Sequence, residues 1–343
     1  MSKLEKIDST PLGSTFAAHS EALPPAFIQH ETFRELITAV DRFDPDLGMF
    51  FQYYEWNLRN NTLDFSLVLP MFLFSNIRLA MPATTNAMLS CIDDYTSMPS
   101  QALQSLVKKI ETQDVKDPLL PRAISLSFER LSATISELNF VFIDFDELVE
   151  LEANPNLLSE IFESFGQSIH PCSSSLELLQ DICDQSFLAH CGVGRRNNAT
   201  RFKVYLEGTL PEFINSKAGR ECSHLFGKRQ QELEEFAQIL DDRLCHMVID
   251  VCDAQVIRVG FELNIDPRLR DNYGTVVLDT AMWNRYSNLE NSESLHQLIV
   301  NRRHKINHPD GNESELFISH FKISFDGSDT PEWKVYFSCT KEF

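Results

Sequence analysis

A chain of 343 residues with 50 Asp and Glu against 30 Lys and Arg carries a formal charge of −20, and so acidic a surface repels phosphate backbones and anionic lipid, which argues against nucleic-acid and membrane partners. Hydrophobic residues make up 43% and Phe alone occupies 26 positions, enough for a large core and too many for a disordered chain. Length by itself admits two domains or one large one.

The N-terminal MSKLEKIDSTPLGS contains no apolar segment of signal type, and the most apolar run, LVLPMFLF, falls far short of the roughly 20 residues a spanning helix needs. A cytoplasmic location is expected. Residues 1–45 read as a Pro- and Ser-containing arm leading into the helical FRELITAVDRF, and residues 46–343 as a single domain. From residue 63 onward one unit recurs: two alternating runs joined by a short turn, then sequence with helical spacing. The paired runs are LDFSLVLPM with SNIRLAMP, RAISLSFE with ELNFVFIDF, FLAHCGVGRR with RFKVYLEG, HMVIDVCD with QVIRVGFEL, and ELFISHFKISF with WKVYFSCT. Five such hairpins predict ten antiparallel strands. Segments such as NAMLSCIDDYTSMPSQALQSLVKKIET and GKRQQELEEFAQILDDRL predict amphipathic helices between them. The fold class expected is α+β, a closed ten-stranded antiparallel barrel of five ββα repeats with helices outside, because closure removes exposed edges.

If the apolar faces meet the helices, the polar faces turn inward. The inward set is then Asp64 and Ser66; Arg78; His190 and Arg196; Arg201, Lys203 and Tyr205; His246 and Asp250; Arg258 and Glu262; His320, Lys322 and Ser324; and Lys334, Tyr336 and Ser338. A one-sided sheet facing water shows the same alternation. Recurrence of a mid-strand Arg or Lys in four of the five hairpins favours a chamber instead. Cations from several strands in one space form a clamp for a multiply charged anion, most simply a diphosphate. Tyr205 and Tyr336 add hydroxyl donors, and each ring face stabilises a neighbouring cation by about 0.5–2 kcal/mol. Such a space suits ionisation of an allylic diphosphate, with Asp64, Asp250 or Glu262 as the catalytic acids that orient or deprotonate an acceptor.

Lys203-Val204-Tyr205, Lys334-Val335-Tyr336, LDFSLVLPMFLFSNIRLA and CGVGRRNNATRFKVYLEG together resemble the αββα (ABBA) prenyltransferase barrels, and more narrowly the cyanobactin peptide prenyltransferases, which attach isoprene units to ribosomal macrocyclic peptides. The resemblance runs from about residue 60 to the end. It implies dimethylallyl diphosphate as donor, a peptide as acceptor, Arg78, Lys203, Tyr205, Arg258, Lys322, Lys334 and Tyr336 as diphosphate contacts, joined by Arg196 and Arg201 of the inward set, and Asp64 as the acceptor-side acid in the place where the family has a Glu. No DDxxD metal motif is present: Asp93-Asp94 and Asp241-Asp242 each lack the third carboxylate and read as solvated helix faces. Magnesium is expected only as a companion of the diphosphate, with no dedicated ligands and no organic cofactor. HKINH, with Pro309 following, reads as a basic loop or helix end. Acids beside the site would also hold a guanidinium in bidentate fashion, so a peptide Arg is one acceptor; the same acids would equally neutralise the lumen's own cations, which leaves Tyr, Trp or a small aromatic molecule open. A non-catalytic barrel binding an anionic metabolite is the alternative of a different class. The eight Cys, without a CxxC pair, are expected as buried reduced thiols.

Overall fold

The structure, a computed structural model, describes residues 51–57, 62–70, 98–112, 123–128, 138–151, 156–165, 173–183, 186–196, 199–240, 244–264, 303–307 and 313–341. Its strands are β1 (Phe51–Asn57), β2 (Thr62–Pro70), β3 (Ala123–Phe128), β4 (Phe140–Glu150), β5 (Phe187–Arg196), β6 (Ala199–Thr209), β7 (Leu244–Cys252), β8 (Gln255–Asn264), β9 (Arg303–Asn307), β10 (Glu313–Phe325) and β11 (Glu332–Lys341). Every pairing among them is antiparallel. Neighbours pair in sequence from β1 to β8; β8 pairs with β10, β10 with β11, and β11 with β1. Each of these ten strands therefore has a hydrogen-bonded partner on both edges.

RFKVYLEG shows how composition decides which face is which. Phe202, Val204 and Leu206 are fully buried against the helices, while Lys203 and Tyr205 line an interior cavity. Two strands need a correction to this alternation. Leu188 in β5 and Ile318 in β10 lie in the apolar core, so strict period-two alternation would put His190 and His320 there as well. A register shift intervenes in each strand, between Leu188 and His190 and between Ile318 and His320. The extra residues, Ala189 and Ser319, turn the following histidines to the inner face, where they pair with Tyr205 and Tyr336.

The outer face is covered by α1 (Met98–Thr112), α2 (Leu157–Glu163), α3 (Ser173–Cys183), the short α4 (Leu210–Asn215), α5 (Lys217–Glu221) and α6 (Ser223–Phe226), and α7 (Gln230–Leu240). Ala102, Leu103, Leu106 and Val107 form the buried stripe of α1 at the spacing one helix face requires. Phe162 of α2 meets Phe202 of β6 edge-on at 4.9 Å, and Phe226 and Phe325 pack at 5.3 Å. Each buried Phe of this layer stabilises the fold by about 1.5–3 kcal/mol. Thr209 opens α4 with a capping box: its hydroxyl accepts from Glu212 N–H while the Glu212 carboxylate accepts from Thr209 N–H.

Four expected hairpins match β3–β4, β5–β6, β7–β8 and β10–β11, but the first is displaced. LDFSLVLPM is the second strand of its hairpin, pairing with β1, and SNIRLAMP lies outside the described residues, as does the N-terminal arm. HKINH is a correction as well. Its first residues belong to β9, which pairs with Glu313–Phe317 of β10, the stretch beyond the point where β8 stops. An open stretch of strand edge recruits a partner where local sequence suggests a loop.

Candidate active site

The inner face encloses a cavity of about 280 Å³, just below the usual range for small-molecule sites. Lys203 and Tyr205 arrive from β6, His246 and Asp250 from β7, Arg258 and Glu262 from β8, His320, Lys322 and Ser324 from β10, and Lys334 and Tyr336 from β11. Ser66 and His190 complete the expected residues that line it. Glu55, Phe142 and Asp144 also line it and had not been anticipated. Gly192 and Gly194 alternate with His190 along β5, and the missing Cβ atoms make the room that the Phe142 and Phe140 rings occupy.

The electrostatics differ from a purely basic lumen. Four cations (Lys203, Arg258, Lys322, Lys334) face four carboxylates (Glu55, Asp144, Asp250, Glu262), so the lining is formally neutral, its histidines apart. The charges interlock. Arg201 forks onto Asp250, with Nε donating to Oδ1 at 3.0 Å and Nη2 to Oδ2. Lys322 Nζ donates to Glu262 Oε1 at 3.0 Å. Lys334 Nζ contacts Glu55 and lies 3.4 Å from Asp64 Oδ2, and Arg258 pairs with Glu332. Two residues expected in the lining are thereby corrected. Arg201 and Asp64 are buried, 2% and 5% exposed, and are absent from the cavity lining because each is turned onto an ion-pair partner. Burial would raise the Glu262 carboxyl, but Lys322 and the surrounding histidines carry it well below the usual carboxylate range.

Two imidazole–phenol pairs form the chamber's neutral walls. His190 lies 3.8 Å from Tyr205, and His320 stacks on Tyr336 at 4.0 Å and 19°. Burial pushes His190 down to about 3 and His320 to about 4, so both rings are uncharged near pH 7. Burial and neighbouring carboxylates hold both tyrosines well above their ordinary value, as intact phenols that can donate. Lys203 Nζ stands 3.7 Å over the Phe140 ring. Such a space offers ammonium and guanidinium groups to an anion and π faces to a cation, side by side.

Arg78 and the Arg196 side chain lie outside what is described. Glu55 could have been found from FFQYYEWN, a run rich in strand-forming aromatics followed closely by Asn60-Asn61, a turn signal. Asp144 sits in ELNFVFIDF at a position of the correct parity. Five described cysteines, 183, 191, 222, 245 and 252, are reduced, and burial raises Cys222 and Cys245 to about 12, leaving them inert thiols.

No family model and no curated protein sequence matches the chain. Solved structures do. The chain aligns over 96% of its length with 94% of the prenyltransferase PriB in its apo form, at TM-score 0.56 and 11% identity. It aligns over 95% with 94% of PriB in ternary complex with L-tryptophan and dimethylallyl thiolodiphosphate, at 0.53 and 11%. The 5-dimethylallyltryptophan synthase of Streptomyces coelicolor aligns over 96% of this chain and 97% of its own, at 0.49 and 13%. The chain thus has the fold of the ABBA-type prenyltransferases, a mostly antiparallel sheet backed by helices.

Proposed function

We propose that the chain transfers a prenyl group from an allylic diphosphate, dimethylallyl diphosphate in the first instance, to an acceptor held in the chamber. The reading takes the ten mutually paired strands as a closed barrel of five ββα units. The observation that carries it is the convergence of Lys203, Arg258, Lys322 and Lys334 with the Tyr205 and Tyr336 faces on one cavity. The PriB complex, which holds a thiolodiphosphate donor and tryptophan, supports the same pairing of ligands here.

The cations receive the diphosphate. As the allylic C–O bond breaks, the leaving group keeps the electron pair, and the Tyr205–His190 and Tyr336–His320 faces shield the allyl cation from water. The acceptor forms the new bond and loses a proton. Glu55 takes the role first given to Asp64: it is a glutamate, it lines the cavity, and it is held by Lys334. Because the lining is neutral, the donor must draw Lys322 and Lys334 away from Glu262 and Glu55.

Magnesium does not fit the described side chains as a resident ion. Among the described residues, the grouping of three ligating side chains is His190, His246 and Glu262, two nitrogens to one carboxylate, whereas Mg²⁺ demands oxygen ligands. No step is routed through it.

For the acceptor we favour an electron-rich aromatic ring, free or within a cyclic peptide. A guanidine would need carboxylates to spare, and Asp64, Asp250 and Glu262 each face a cation of the chain itself. The test is incubation with dimethylallyl diphosphate and a panel of tryptophan, small phenols, and cyclic peptides containing Trp, Tyr or only Arg. A mass gain of one isoprene unit on an aromatic acceptor is expected. Tight donor binding with no gain on any acceptor would replace the reading with a non-catalytic binding barrel.

A further inference from the structure

Glu262 stands at the centre of a cluster that prenyl transfer does not use as a whole. Its two oxygens are divided. Oε1 accepts from Lys322, while Oε2 faces His246 Nδ1 at 3.7 Å and His320 Nε2 at 4.0 Å. Ligand atoms of His190, His246 and Glu262, from three different strands, all lie within 4.8 Å of one another.

Each imidazole also faces a further carboxylate or hydroxyl. His190 Nδ1 faces Asp144 Oδ1 at 4.0 Å, and His246 Nε2 faces Glu207 Oε2 at 3.6 Å. His320 Nδ1 lies 3.0 Å from Ser319 Oγ, whose hydroxyl donates to the Tyr336 carbonyl at 3.2 Å. A carboxylate or hydroxyl behind each histidine is the outer-shell arrangement that orients metal-ligating imidazoles.

We propose that His190, His246 and Glu262, with His320 as a fourth donor, bind one divalent transition-metal ion of the zinc class inside the chamber. Tetrahedral bonds of about 2.0–2.1 Å space ligand atoms roughly 3.3–3.5 Å apart, so the 3.7 Å pair needs little movement and the wider ones a small contraction of the cluster. Imidazole donors select zinc, cobalt, nickel or copper over magnesium. The balanced lining puts no surplus of positive charge against a second cation. The site shares the chamber, and His190, His320 and Glu262, with the proposed prenyl transfer, and its test reads metal binding alone.

The test is calorimetric titration of the chelator-stripped, full-length chain with Zn²⁺, Co²⁺ and Mg²⁺, with the visible spectrum of the Co²⁺ form as a second readout. One Zn²⁺ or Co²⁺ per chain is expected, with a four- or five-coordinate Co²⁺ spectrum and no comparable Mg²⁺ binding. His246→Ala should abolish binding, and Asp144→Asn, which keeps every ligand, should weaken it about 10–100-fold. Zn²⁺ should raise the melting temperature of the wild type and leave that of His246→Ala unmoved. Circular dichroism establishes that each variant is folded. Absence of stoichiometric binding by the wild type, equal affinity for Mg²⁺, or Zn²⁺ affinity unchanged in both Asp144→Asn and His246→Ala overturns the site. Each outcome is read from metal binding, so failure of the site is distinguishable from failure of the prenyl-transfer assay.

Discussion

Glu55 and Asp64 sit opposite each other in the β1–β2 register, and both reach the Lys334 ammonium. Yet only Glu55 lines the cavity. If an acceptor proton ends on a carboxylate here, Glu55→Gln should slow transfer by about 10²–10⁴-fold. Donor affinity in that variant should hold or tighten, because the Lys334 charge is released to the diphosphate. Asp64→Asn should cost far less in rate, since that carboxyl is turned onto Lys334 and does not line the cavity. Single-turnover rates with separately measured donor dissociation constants distinguish the two variants, and equal losses would mean that the pair acts only by holding Lys334. Lys203 is different, its Nζ lying over the Phe140 and Phe142 rings. A charge-assisted contact contributes about 1.5–3 kcal/mol, so Lys203→Ala should raise the donor dissociation constant by roughly 10–150-fold. Unchanged affinity would remove Lys203 from the anion site.

At the scale of elements, the hairpins show what local sequence can and cannot convey. β5, β6 and β7–β8 were legible because alternation and turn residues coincide there. RFKVYLEG even discloses which side chains face inward. β1 escaped because one of its partners is remote in sequence: its second neighbour is β11, at the far end of the chain. β9 escaped because its place depends on the unpaired reach of β10. The bulges at Ala189 and Ser319 carry no sequence signal of their own, and they aim the two histidines. Charge balance was equally hidden, since Asp144 and Glu55 lie on strands read without their inner faces. The β7–β8 turn supports a stability prediction. Asp253 and Ala254 both adopt left-handed backbone, φ 50° and 56°, in a two-residue connection whose preferred sequence is Asp-Gly. A Cβ in that conformation costs roughly 1 kcal/mol. The hydrogen bond from Ala254 N–H to Ser175 Oγ, 2.8 Å, uses only backbone on the Ala254 side. Ala254→Gly should therefore stabilise the chain by up to about 1 kcal/mol in equilibrium denaturant unfolding, less what glycine adds to the entropy of the unfolded chain. A loss of more than that would show the alanine methyl to be packed, not strained.

For the whole molecule, the contrast is between a chain of formal charge −20 and a cavity lining that is balanced. A diphosphate donor approaching such a body is repelled at long range and attracted only once inside. Salt acts unequally on those two stages. The Debye length falls from about 30 Å at 0.01 M to about 8 Å at 0.15 M, which screens the exterior field but leaves buried contacts largely intact. Association of the donor should thus accelerate, on the order of several-fold, as ionic strength rises through that range, while its dissociation rate changes little. This is the reverse of a phosphate site on a basic surface. Stopped-flow binding of dimethylallyl thiolodiphosphate across a salt series measures both rates. An association rate that falls with salt would mean that the field at the cavity entrance is positive in spite of the net charge, and that Lys and Arg residues steer the donor from outside as well as clamp it within.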